Sequence, residues 1–173
     1  MKNELVDVYD ANKNKTWKTK IRYKDTFEPG EYMMGVQAVI INSNNEILIS
    51  QRSPYAFLSP LEWECNGGAL RAGESSLDGL VREMQEELGI TLDKDKAIYL
   101  KTAVNGYIIK EIYVYRDDIS VDELEYPDNE AQNAKWVTID EFMKLFNEGV
   151  IVANVNFDRT DYKKALELLN SNI

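Results

Sequence analysis

GALRAGESSLDGLVREMQEELGI, running from Gly68 to Ile90, is the stretch from which the rest of the chain is read. Leu77, Leu80, Val81, Met84 and Leu88 recur at helical spacing, which predicts a helix over Ser76–Leu88 with one apolar face. Ser75 suits the N-cap, Asp78 follows three residues on as in a capping box, and Gly89 stands at the usual C-terminal glycine position. The helix also carries Glu83, Glu86 and Glu87, whose spacing sets three carboxylates side by side on a face expected to lie away from the apolar stripe. Like charges so placed cost about 0.2–0.5 kcal/mol per pair. All three fall in the last two turns, where the helix dipole favours cations, and Arg82 alone offsets them locally. Three glutamates by themselves usually mark a solvated face. With two electrostatic rules against the cluster, a compensating cation is expected, and a divalent metal is the economical one.

Upstream, Leu5–Tyr9 and Thr16–Tyr23 read as strands around the turn signal Asp10–Asn14. Met33–Ile41 and Glu46–Gln51 read as a second hairpin around Asn42–Asn45, and Ser53–Pro60 as a loop. Downstream, Ile98–Val104 and Tyr107–Tyr115 flank Asn105-Gly106, a strong hairpin signal. Asp117–Asn133 is acidic and irregular, Lys135–Val137 a short strand, and Ile139–Asn147 and Tyr162–Leu169 amphipathic helices. Strands with helices at intervals predict an α/β layered domain spanning residues 1–173, with 1–30 as an N-terminal hairpin extension.

Composition narrows the chemistry. Hydrophobic residues make up 44% and charged residues 29%, a globular balance, and no apolar run is long enough to cross a bilayer. The N-terminus lacks the apolar core of a signal peptide, and the one cysteine, Cys65, permits no intrachain disulfide, so a cytoplasmic protein is expected. Cys65 is expected to be a small buried residue. A net charge of −10 without a basic block argues against a large nucleic-acid partner. The absence of histidine excludes Ser-His-Asp and Cys-His catalysis and every His-ligated zinc site. Carboxylates favour hard cations, Mg²⁺ or Mn²⁺.

The segment resembles the Nudix box. All seven fixed positions of that pattern are present: Gly68, Glu74, Arg82, Glu83, Glu86, Glu87 and Gly89. Chance agreement at a given start is on the order of 10⁻⁸. Met84 fills an aliphatic position where Ile, Leu or Val is more usual. Glu46–Ser53 resembles the strand preceding the box, and Trp63-Glu64-Cys65-Asn66-Gly67-Gly68 stands where the family often has Trp-Glu-x-Pro-Gly-Gly. Glu130, six residues before Trp136, matches a loop that supplies a further acid in many members.

The resemblance implies an α/β/α sandwich with a mixed sheet, and hydrolysis of a diphosphate bond in a small phosphorylated substrate, with a nucleoside diphosphate derivative the base-rate guess. It implies Mg²⁺, or Mn²⁺, held mainly by Glu83 and Glu87, with Glu86 and the Gly68 carbonyl joining. Glu87 or Glu130 is the general base, a choice the sequence leaves open. Arg82 is expected to orient Glu83 and Glu74, and Glu74 to be structural. Arg52 is either a ligand of a substrate phosphate or a surface arginine. Trp63, Tyr32 and Tyr107 are candidates for stacking on a base or sugar, though strand aromatics are more often core.

The N-terminal Val6–Asp10 segment is similar to the isopentenyl-diphosphate-isomerase-like branch of the superfamily, but the isomerase histidines are missing and Cys65 does not align with the isomerase cysteine. Two alternatives to the hydrolase remain, a nucleotide-sensing module and, less favoured, such an isomerase. Specificity is expected in the loops 12–15, 53–61 and 117–132. The hairpin is a candidate dimer contact.

Overall fold

The computed structural model describes residues 4–171, so the two ends of the expected 1–173 domain, and the first three residues of the 1–30 extension, lie outside it. The elements run β1 (Leu5–Tyr9), β2 (Lys15–Ile21), β3 (Met33–Ile41), β4 (Ile47–Arg52), β5 (Trp63–Glu64), α1 (Ser76–Leu88), β6 (Ile98–Asn105), β7 (Ile108–Arg116), β8 (Ala131–Val137), α2 (Ile139–Asn147) and α3 (Arg159–Ser171). The main sheet is mixed, in the order β5-β4-β3-β7-β6, with β8 against β4. β3 runs parallel to β7 over nine residue pairs, Met33↔Ile108 to Ile41↔Arg116, and β6–β7 is the expected antiparallel hairpin.

Every residue of β3 is buried because both faces of the sheet are covered. Val36, Ala38 and Ile40 pack with Leu80, Met84 and Leu88 of α1. Val39 and Ile41 pack on the opposite side with Phe142 of α2 and with Ala165 and Leu169 of α3. The result is the expected α/β/α sandwich. Leu77 and Val81 flank the α1 stripe and are only half-buried.

The differences from the sequence expectation have local causes. β8 starts at Ala131, inside the stretch expected to be irregular, because β4 offers it a partner edge from Ile47↔Val137 to Arg52↔Ala131. α3 begins at Arg159 because Asp158 Oδ1 accepts hydrogen bonds from the Thr160 and Asp161 amides, an N-cap not singled out from the sequence. β1 and β2 form a separate two-stranded sheet, turned by Asp10 Oδ1 accepting from the Asn12 and Asn14 amides. Among the described residues no helix is long and apolar enough to cross a membrane.

Candidate active site

β4 leaves β3 after a single register pair, Ile41↔Ile47, and this exposes an edge of β3. Residues 66–70 occupy it. Val36 N donates to Gly68 O at 2.9 Å, Ala38 N to Asn66 O at 2.9 Å, and Leu70 N to Met34 O at 3.0 Å. The approach is close enough to demand glycine. Gly67 has φ +153°, and a Cβ there would stand 2.1 Å from Val36 O. A Cβ on Gly68 would stand 2.4 Å from the Glu83 carboxyl carbon, so this carboxylate lies directly on the Gly68 backbone.

α1 is capped as expected, with Ser75 Oγ accepting from Asp78 N and Gly89 left-handed at φ 71°. Its C-terminal carbonyls are satisfied from the acidic loop that follows β7. Glu125 N donates to Leu88 O and Asp128 N to Glu86 O, both at 3.2 Å. Backbone amides therefore do part of the work that a basic last turn would do.

The glutamates divide. Glu86 is served by Arg71 Nη2 at 3.1 Å and Arg82 Nη1 at 3.3 Å. Arg82 also reaches Glu74 Oε1 at 2.6 Å through Nε, Glu74 Oε2 at 2.8 Å and Ala69 O at 3.0 Å through Nη2, and Glu83 Oε1 at 2.8 Å. This is the bridging geometry expected of Arg82, and it leaves Glu74 between an arginine and the Arg71 amide, in a structural position. The expectation that the glutamate face lies away from the packed side is corrected for two of the three: Glu83 is 8% exposed and Glu87 4%. Their side chains face a cavity rather than bulk water. Burial pushes the Glu83 carboxyl up despite Arg82. Glu87 is raised well above the ordinary 4.5 by burial, then by the charges of Glu64 and Glu83, although Asn66 Nδ2 donates to its Oε2 at 3.0 Å.

The cavity has a volume of about 690 Å³ and is lined by all three helix glutamates, Gly67 and Gly68. Arg52 and Glu130 line it too, the Arg52 side chain half-buried in a 2.6 Å pair with Glu64. Glu130 sits 4.0 Å from Arg52 with its side chain 55% exposed. Of the candidate stacking aromatics, Tyr107 lines the cavity but already stacks on Phe27, at 4.8 Å and 9°. Trp63 packs against the core under Lys135, and Tyr32 bridges to Tyr9.

Sequence reasoning missed Glu64, Asn66 and Lys110. Lys110 lines the cavity and donates to Gln37 Oε1 at 3.2 Å and Asn154 O at 2.9 Å, with no ion pair among the described residues. Burial lowers its pKa. No spacing rule marks a lone lysine on β7, whereas Asn66 is flagged by standing where the Trp-Glu-x-Pro-Gly-Gly pattern has proline. Cys65 is buried as expected and free, and burial pushes its thiol up to about 12, which leaves no thiolate for nucleophilic work.

Among the described residues, no three acids, cysteines or histidines are grouped closely enough to form a ready metal cage. The donor chemistry nevertheless fits a hard cation. Two carboxylates are buried with less positive charge than they need, and Glu83 lies on the Gly68 backbone. Mg²⁺ is typically held by one or two carboxylates, with water and substrate phosphate completing the shell, so no such cage is required.

The fold and this site are those of a Nudix protein. The family model for the NUDIX domain matches residues 31–154, and the chain belongs to that family, hydrolases that act on pyrophosphate bonds. An uncharacterized Nudix hydrolase of Listeria monocytogenes is 29% identical over 150 residues, covering 84% of this chain and 86% of its own. Nudix hydrolase 5 of Arabidopsis thaliana is 24% identical over 82% of this chain and 50% of its own. In fold, the chain is similar to DR0079 of Deinococcus radiodurans, with TM-score 0.72 and 18% identity over 95% of this chain and 99% of that one. It is also similar to the NUDIX domain of Shewanella oneidensis NrtR complexed with ADP ribose, with TM-score 0.53 and 18% identity over 65% and 77% of the two chains.

Proposed function

We propose that this hydrolase cleaves the diphosphate of a small nucleoside diphosphate derivative in a Mg²⁺-dependent reaction, with Mn²⁺ as a substitute. The observation that carries the reading is the placement of two buried carboxylates, Glu83 against Gly68 and Glu87 against Gly67, in a cavity of about 690 Å³, a volume suited to a nucleotide-sized ligand. Glu83, Glu87, Glu86 and the Gly68 carbonyl would hold the ion. When bound, it would screen the diphosphate charge and lower the pKa of water.

The chain's own residues have separable tasks. Arg82 fixes Glu83 from behind, while Asn66 Nδ2 and Gly67 N, at 3.0 and 3.3 Å from Glu87 Oε2, fix Glu87. Arg52 and Lys110 present positive charge on the cavity wall to phosphate oxygens. Between the two candidate bases, we assign the proton transfer to Glu130. Its carboxylate is half-exposed and can pass the proton on to solvent, whereas Glu87 is enclosed and held by two donors. Water oxygen bonds to phosphorus, the bridging P–O bond breaks, and the proton leaves through Glu130.

The test is a panel of nucleoside di- and triphosphates, nucleotide sugars and dinucleotides with Mg²⁺ or Mn²⁺, read for phosphate-containing products, with Glu83→Gln and Glu87→Gln as controls. Metal-dependent turnover lost in both variants is expected. Wild-type turnover in either would remove the metal-ligand assignment. Wild-type binding without product would favour a sensor.

A further inference from the structure

Arg22 and Tyr23 directly follow β2, in the hairpin that precedes the family-matched residues 31–154, yet both line the cavity. Arg22 uses Nη1 on Glu4 Oε2 at 3.0 Å, and its Nε is buried with no partner. An unfilled guanidinium donor away from water is costly, and an anionic oxygen is its natural complement. Arg22 lines the same cavity as Glu83 and Glu87.

Tyr23 stands at φ 63°, a conformation bulky residues seldom adopt. A tight turn holds it there: Lys24 N and Asp25 N donate to Ile21 O, and Ile21 N donates to Asp25 Oδ2 at 2.7 Å. This backbone sets the Tyr23 ring against Phe57 of the 53–61 loop, with centroids 5.4 Å apart. Both rings stay open to solvent, Tyr23 41% and Phe57 60% exposed, at the mouth of the cavity whose floor is Glu83 and Glu87. An ordinary turn would take Asn or Gly at that position, so the Tyr23 ring is held there at a cost in backbone strain.

We propose that the N-terminal hairpin is a working wall of the site: Arg22 takes an oxygen of the substrate's phosphate chain, and Tyr23, with Phe57, covers a planar ring at the other end. This rests on the diphosphate reading of the same cavity. The occupant is thus a phosphate chain carrying an aromatic base, with the hairpin contacting both parts.

Calorimetric titration of the full chain in Mg²⁺ with two probes, inorganic pyrophosphate and ADP, tests it. Arg22→Gln should weaken both probes about tenfold, the worth of one charge-assisted contact. Tyr23→Asn, which removes the ring and suits the left-handed backbone, should weaken ADP about tenfold and pyrophosphate by much less, the residual loss coming from the Arg22 guanidinium that lies 4.6 Å over that ring. Glu4→Gln breaks the Arg22 ion pair and should leave pyrophosphate binding at least as tight as in the wild type. Wild-type affinity in Arg22→Gln, equal loss of both probes in Tyr23→Asn, loss of pyrophosphate binding in Glu4→Gln, or a wild type that binds neither probe would each overturn the proposal. A wild type that binds both probes with the expected variant pattern, yet turns over nothing on the substrate panel, would sink the hydrolase reading and leave this one standing.

Discussion

The floor of the cavity and its rim are built on opposite physical terms. The floor is rigid: α1 is capped at both ends, residues 66–70 are hydrogen-bonded along β3, and Gly67 and Gly68 leave no space for another side chain. Its acids are buried and under-compensated. The rim is apolar and open to solvent: Tyr55, Phe57 and Leu58 are all exposed on one cavity-lining loop, with Ser59 at positive φ. Rigidity with unpaired charge suits chemistry at a fixed phosphorus, and exposed rings on a loop suit recognition of whatever the phosphates carry. Substitutions in the floor should therefore change turnover and metal affinity, and substitutions in the rim should change substrate affinity alone.

The largest break should come at Glu87. Glu87→Gln is expected to lower kcat by on the order of 10³-fold or more, since a charge aimed at the metal is lost. The same variant should melt higher in the metal-free state near pH 8, by a few degrees, because it removes a buried charge without a counter-ion. Opposite signs from one substitution would be diagnostic, and a Glu87→Gln protein that is both active and no more stable would refute the picture of the floor. Glu130→Gln should lower kcat by roughly 10²- to 10³-fold, the range of a lost general base, with metal affinity by calorimetry unchanged. A parallel loss of metal affinity there would make Glu130 a ligand instead.

pH sharpens the same contrast. Burial first, then the charges of Glu64 and Glu83, raises the folded Glu87 above 4.5, and burial likewise raises Glu83. Above 4.5 the unfolded chain has released protons that the folded acids keep, so the unfolded state binds fewer. Stability of the metal-free protein should thus fall as pH rises from 4.5 through the raised values, and level off beyond them. Metal affinity should climb over that window, because the ion takes the ionised carboxylates. Urea midpoints with and without Mg²⁺ across pH 5–9, at constant ionic strength, read both trends. Divergence of the two curves with rising pH is expected, and parallel curves would show that these acids do not hold the ion.

Much of the floor was legible in the sequence and little of the rim. The α1 boundaries and its two caps follow from spacing rules that act within a turn or two of helix, and so survive folding unchanged, whereas the Arg82 bridge is expected only from the resemblance to the Nudix box. The burial of Glu83 and Glu87 does not follow from such rules. It depends on β4 parting from β3 after one register pair, so that residues 66–70 close over the helix, a long-range event with no local mark. Lys110 and Glu64 escaped for the same reason: each reaches the cavity only through sheet pairing, Lys110 opposite Gly35 and Glu64 opposite Ser50. Arg22 and Tyr23 were legible only as the end of a strand, because nothing in a short polar turn announces the surface it will meet.

The smallest expected effect is at the outermost ring. Tyr55 is 90% exposed on the loop that carries Phe57, so it makes no packing contribution whose loss would disturb the floor. A contact made equally with substrate and transition state changes KM and leaves kcat alone. Tyr55→Ser should therefore raise KM for the preferred substrate by under about tenfold, consistent with a partly solvated aromatic contact worth roughly 1 kcal/mol, at constant kcat and constant metal affinity. Steady-state kinetics beside the floor variants reads the separation directly. A fall in kcat at Tyr55 matching the rise in KM would mean that the loop also takes part in aligning the diphosphate, and the division between a chemical floor and a recognising rim would then have to be redrawn to include residues 53–61 in the floor.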